Sequence, residues 1–267
     1  MPIASVGEIE LDYERSGSGP PLLLIMGMSG TALSWGEPFL DALRSDFEVI
    51  VYDHRGVGAS SRLDGPVTIV QMAEDALGLL DALEIDSAHI MGISMGGMVA
   101  QELALAHPGR VRTLTLGCTY CGGEGSSFLS PELAGRLAEA RASGDRDHAL
   151  RTSWEANVSA TTVDDQDAFA DYLAIGHRRS VALQVIEAQT EAIHGHDTSA
   201  RLSELTMPTL VIHGSADEIL PVQNGRLVAS HVPGSHLEIF EGVGHLFFWE
   251  CPDRAAELIR EHATVPA

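Results

Sequence analysis

Ser94 lies in the run Gly92-Ile93-Ser94-Met95-Gly96-Gly97, between an apolar stretch at 88–91 and a helix-like stretch at 98–106. A serine at a sharp strand-to-helix turn, with a glycine two places to either side, has the pattern of a nucleophile elbow, whose strained backbone pushes the hydroxyl into the open. So tight a reversal leaves no room for side chains, hence the glycines. A hydroxyl is a weak nucleophile near neutral pH and needs an adjacent base, itself oriented by a third group. Two later loops offer candidates. Asp217 lies in Gly214-Ser215-Ala216-Asp217-Glu218 after the apolar run 209–213, and His245 lies in Glu241-Gly242-Val243-Gly244-His245 after the run 236–240. Such a set can attack a carbonyl carbon through the serine oxygen.

These loops need a scaffold to carry them. Ile9, Leu11 and Tyr13 alternate with polar residues, as in a half-exposed strand, and Gly7 predicts a hairpin with residues 3–6. Beyond the breaker at 16–21, apolar runs at 22–26, 48–52, 88–91, 111–116, 209–213 and 236–240 read as parallel strands buried on both faces. Helical patterns alternate with them. Ile69, Met72, Ala76, Leu80 and Leu83 recur at helical spacing over 68–83, and a second helix over 95–107 stops at Pro108-Gly109. This alternation predicts an α/β fold with a mostly parallel, doubly wound sheet. The rhythm breaks between 122 and 205, where 131–142, 145–158, 164–176 and 181–193 read as helices. The expected organisation is therefore a core of residues 1–121 and 206–267 with a helical cap, 122–205, over the carboxyl ends of the strands, where open α/β sheets hold ligands.

Composition narrows the chemistry. With 38 acidic and 16 basic residues among 267, the net charge of −22 repels nucleic-acid phosphates and anionic lipid headgroups, so neither nucleic acid nor a membrane is expected as a partner. All the basic residues are arginine. Without lysine there is no Schiff-base catalysis, no covalent pyridoxal phosphate and no P-loop lysine. Three cysteines, an opening without a secretory pattern, and an apolar run at 22–28 too short for a membrane together predict a reduced, cytoplasmic protein. Cys118 and Cys121 have metal or redox spacing but no second such pair, and read as core packing. Gly56-Val57-Gly58 lacks the third glycine of a dinucleotide fingerprint and reads as a turn near the pocket. His194-Gly195-His196-Asp197 reads as a solvated loop rather than a metal site.

Serine, acid, histidine is also the chain order of the α/β-hydrolase fold family. The chain resembles its small bacterial esterases and lactonases over nearly the whole length: in Gly27-Met28 before Trp35, in the loop Tyr52-Asp53-His54-Arg55-Gly56-Val57-Gly58-Ala59-Ser60, at the Ser94 elbow, in 214–217 and in Gly244-His245. In style it is similar to 3-oxoadipate enol-lactonases and aclacinomycin methylesterases. The resemblance implies Ser94 as nucleophile, His245 as base and then acid, and Asp217 as the carboxylate that fixes the imidazole. Glu218, or an acid after an earlier strand, remains an alternative to Asp217. The resemblance further implies an oxyanion hole from the backbone N–H groups of Met28 and Met95, with Met26 standing where the family often has histidine. Trp35 and Trp154 are read as facing the substrate, and Phe247 as core or as a wall of the substrate pocket. The expected reaction is cleavage of a small carboxylic ester or lactone through an acyl-enzyme, with no metal and no organic cofactor; homo-oligomerisation is left open. The same triad could serve another bond, as in carbon–carbon hydrolases, perhydrolases and cofactor-free lyases, or survive as a vestige in a ligand-binding receptor.

Overall fold

The computed structural model describes residues 2–265. The chain opens with an antiparallel pair, β1 (Ile3–Val6) and β2 (Ile9–Gly17), joined at Gly7. It then enters the sheet at β3 (Pro21–Ile25), passes through α1 (Glu37–Arg44) to β4 (Glu48–Tyr52), and through α2 (Ile69–Ala82) to β5 (Ala88–Ile93). After α3 (Met95–Ala106) and β6 (Val111–Gly117) come four helices in succession: α4 (Pro131–Ala142), α5 (Arg146–Asn157), α6 (Gln166–Arg178) and α7 (Leu183–His194). The sheet resumes with β7 (Thr209–Gly214), α8 (Gln223–His231) and β8 (His236–Phe240), and the chain closes on α9 (Phe247–Glu250) and α10 (Pro252–Ala263).

The eight strands lie in the order β1-β2-β4-β3-β5-β6-β7-β8, and those from β3 to β8 run parallel. Side-chain alternation divides each strand between two cores. Leu23 and Ile25 of β3 join α2 and α3 through Met72, Leu80, Val99 and Leu103, whereas Leu22 and Leu24 join α1 and α10 through Phe39, Leu43, Ala255 and Ile259. This two-sided burial is why the parallel strands read as continuous apolar runs rather than alternating ones. Thr68 caps α2, accepting from the Gln71 N–H while the Gln71 side chain accepts from the Thr68 N–H.

The order reverses beside β3: the chain moves outward from β3 to β4, then returns to lay β5 on the other side of β3. The loops after β3 and β5 therefore lead to opposite faces of the sheet, and the carboxyl ends of the strands at such a switch are the usual ligand position of an open α/β sheet. Ser94 stands there, directly after β5. The four-helix excursion leaves from β6 and returns to β7. It touches the loops at the carboxyl ends of β3 and β8, where Gln189 accepts from the Ser29 N–H and the Asn157 carbonyl from the Leu246 N–H. No helix among the described residues is long and apolar enough to cross a membrane.

Candidate active site

Ser94 has φ 55° and ψ −123°, the left-handed region that costs a non-glycine residue energy, and it caps α3. Surrounding bonds hold the strained turn: the Ser94 N–H donates to the Gly117 carbonyl at 2.9 Å, and the Ser94 carbonyl accepts from Thr119 Oγ1 at 2.7 Å and from the Gly97 N–H at 2.9 Å. Glycine at 96 is a packing requirement, because a Cβ there would collide with the backbone of Ile25 and Met26. A Cβ at Gly27 would stand 3.1 Å from that of Ser94, so the loop after β3 runs directly against the nucleophile candidate. Met28, next in that loop, is half-buried, while Met95 is fully buried. As the first residue of α3, Met95 has an N–H with no partner inside the helix, at its electropositive end.

Two residues after β4 brace the loop after β3. His54 donates from Nε2 to the Met26 carbonyl at 2.9 Å, and Asp53 accepts from the Ala32 N–H at 2.6 Å. Burial pulls His54 below its usual range, leaving the neutral ring that this single donation requires. Thus Met26, where the family often has histidine, is steadied by a histidine from elsewhere in the chain. Asp53 and Asp12, both buried, also meet Arg179 at the end of α6, with Asp12 at 2.8 Å. Burial raises the Asp53 carboxyl, and Asp12 raises it further, against the Ala32 N–H and Arg179.

Beyond β7 and β8, Asp217 and His245 meet. Nδ1 of His245 donates to Oδ2 of Asp217 at 2.7 Å, and both side chains are buried. The other oxygen, Oδ1, accepts from the Ile219 and Leu220 N–H groups at 2.9 Å each. His213, at the end of β7, brings Nε2 to 3.3 Å from Oδ2 and 2.7 Å from the Leu220 carbonyl. Burial alone would raise the Asp217 carboxyl, but His245 and His213 outweigh it and hold the group well below the usual carboxylate range. Glu218 is exposed, so the acid paired with the imidazole is Asp217.

Other readings change. Trp35 is 1% exposed, and its ring packs at 4.8 Å from Phe248 and 5.8 Å from Phe39. Trp154 sits among Phe169, Tyr172 and Trp249, and Phe247 between Phe240 and Phe248. All three pack against other rings, where large aromatic surfaces gain by stacking. His196 does not lie in solvent either: it is buried with Nδ1 3.9 Å from Glu102, whereas Asp197 is exposed and bonded to Ser199. Cys118 packs as expected, but beside the site: among the described residues, its sulfur and the ligand atoms of Asp217 and His245 lie within 4.8 Å of one another. Burial first, and then Asp217, push that thiol well up, so it stays protonated.

The alpha/beta hydrolase fold profile matches residues 20–252. A relative from Azorhizobium caulinodans, provisionally named carbamate hydrolase RutD, is 31% identical over 266 residues, covering 97% of each chain. The rhodomycin D methylesterase DauP of Streptomyces sp. strain C5 is 29% identical over 92% of each. Among solved structures, the enol-lactonase of Burkholderia xenovorans LB400 superposes with a TM-score of 0.83 at 27% identity, covering 99% of this chain and 100% of that one. The chain belongs to the alpha/beta hydrolase fold family, and is a hydrolase.

Proposed function

We propose that the protein hydrolyses a small carboxylic ester or lactone through an acyl-enzyme on Ser94. The observation that carries this reading is the 2.7 Å bond from His245 Nδ1 to Asp217, which fixes the tautomer and leaves Nε2 as the basic nitrogen. In the proposed sequence Nε2 takes the Ser94 proton as the serine oxygen attacks the carbonyl carbon. The resulting oxyanion is received by the Met28 and Met95 N–H groups, each worth roughly 3 kcal/mol of transition-state stabilisation. His245 returns the proton to the departing alkoxide. An ester releases an alcohol there, while a lactone keeps its hydroxyl tethered to the acyl group. Water, deprotonated by the same nitrogen, then attacks the acyl carbon, and as the bond to Ser94 Oγ breaks the proton passes from His245 to that oxygen, freeing the acid and restoring the serine.

Asp217, held anionic, stabilises the imidazolium that forms twice in this cycle. The four helices between β6 and β7 serve as a cap that closes the site and shapes its acyl side. The relative named for carbamate hydrolysis supports adding a nitrogen-linked carbonyl to the substrate range, since attack at such a carbon uses the same groups.

A fluorophosphonate tests the nucleophile: the expected result is one covalent adduct on Ser94, absent from Ser94→Ala. An unlabelled wild type, beside a control esterase that reacts, would refute the acyl-enzyme reading. Rates over a panel of p-nitrophenyl esters, lactones and carbamates then set the substrate class.

A further inference from the structure

His245 is gripped through its neighbours in the chain. The Gly244 N–H donates to Glu250 Oε1 at 2.7 Å, and the Leu246 N–H donates to the Asn157 carbonyl at 3.0 Å. Glu250, the last residue of α9, simultaneously accepts from the connection between α5 and α6. The Ser159 N–H lies at 3.1 Å from Oε1 and 3.2 Å from Oε2, Thr162 Oγ1 lies at 2.8 Å from Oε2, and Ser159 Oγ donates to the same oxygen. Backbone approach is equally close. A Cβ at Gly244 would stand 2.8 Å from both the Asn157 carbonyl oxygen and the Val158 carbonyl carbon.

We infer that Glu250 is a positioning residue for His245, binding the histidine loop and segment 157–162 into one unit through a single carboxylate. The inference rests on the role given to His245 above. Its physical basis is the strength of hydrogen bonds to an ionised acceptor, and the cost of stranding a donor when the acceptor is removed from a closely packed place. Gly244 and Ser159 are both buried, so neither N–H can turn to bulk water when Glu250 is lost. Asp217 holds the imidazole at one ring nitrogen, Nδ1. The backbone on which the ring pivots is set from the helical excursion, so a shift of segment 157–162 displaces the proposed base.

The test compares Glu250→Ala, Glu250→Gln and the pair Ser159→Ala/Thr162→Val, each checked for folded fraction by circular dichroism. Glu250→Gln keeps an oxygen for the Gly244 N–H, and the serine and threonine hydroxyls can reverse to accept from its amide. Labelling of Ser94 by fluorophosphonate should slow about 10- to 100-fold in Glu250→Ala, as for a small misplacement of a reacting group. It should be largely restored in Glu250→Gln and intermediate in the Ser159/Thr162 pair. KM for a small ester should stay close to the wild-type value while kcat falls. Independently of catalysis, the proton resonance of the His245 Nδ1–H bonded to Asp217 should be sharp in the wild type and broadened or lost in Glu250→Ala. A folded Glu250→Ala with wild-type labelling and an unchanged Nδ1–H signal overturns the inference. So does a loss of rate that merely follows the unfolded fraction. A wild type that shows the resonance and its dependence on Glu250 but fails to label leaves Glu250 in this role and removes the acyl-enzyme reading instead.

Discussion

His54 reaches across 28 positions to hold the carbonyl of Met26, tying the loop after β4 to the loop that runs beside Ser94. The ring is buried, and burial lowers its affinity for a second proton. Replacing it leaves a buried carbonyl without a donor and a loop free to shift. His54→Ala is expected to lower kcat/KM about tenfold, equivalent to roughly 1–2 kcal/mol, with unchanged identity of the labelled serine. Steady-state kinetics on one ester decide it, and wild-type kcat/KM in the variant would mean that this brace is dispensable.

Asp217 and Glu218 are adjacent in sequence and opposite in role. Asp217→Asn removes the anion that fixes the imidazole, and turnover should fall by about four orders of magnitude, while Glu218→Gln stays within about twofold. A comparable loss in both variants would contradict the assignment.

Acid should weaken the fold through its buried histidines. Burial, partly countered by Glu102, draws His196 from 6.5 down to about 4, and burial with Arg112 and His262 nearby takes His89 to about 4 as well. The unfolded chain takes up these protons near pH 6.5, and the folded chain refuses them until about pH 4. Stability is therefore complete above that upper pH and drains away toward the lower one, by about 3 kcal/mol for His196 alone. Melting temperatures at pH 7.5, 5.5 and 4.5 should fall in that order, and less steeply in His196→Gln. A flat wild-type profile would count against it.

Arg179 meets Asp53 and Asp12, both buried. Arg179→Met strands two carboxylates and should cost about 3 kcal/mol of stability at pH 7. Because the Asp53 carboxyl is already raised, the variant should regain part of its deficit relative to wild type as the pH falls toward 5 and Asp53 protonates. Denaturant melts at the two pH values measure this. A deficit that grows on acidification would exclude the ion contact as its cause.

The inner strands were legible because burial on both faces writes unbroken apolar runs, as at 22–26 over β3, whereas 236–240 coincides with β8, an edge strand that is mostly half-buried and carries Glu238, so the expectation of burial on both faces fails there. The elbow was legible because only glycine fits where α3 meets β3. Glu250, Gln189 and Arg179 were not, since they reach Ser159, Ser29 and Asp53 across 91, 160 and 126 positions and each is an ordinary polar residue in or just after a helix. His54 carried a signal, because it sits in the loop 52–60 that resembles the family, but nothing local pointed it at Met26. Trp35 and Trp154 were read as facing the substrate and lie buried against other rings; an aromatic ring gains similarly from a core and from a pocket wall, so residue type alone cannot separate the two.

The helices between β6 and β7 join strands that are already neighbours, so in connectivity they could be exchanged for another set without rethreading the sheet. In contact they are not interchangeable parts. Gln189 answers to Ser29, Arg179 to Asp53, and Ser159 to Glu250, so a transplanted set would need matching residues in the recipient's own loops. Recombination at these two junctions alone would leave the loops after β3, β4 and β8 without these contacts, so the three pairs are the unit to graft together.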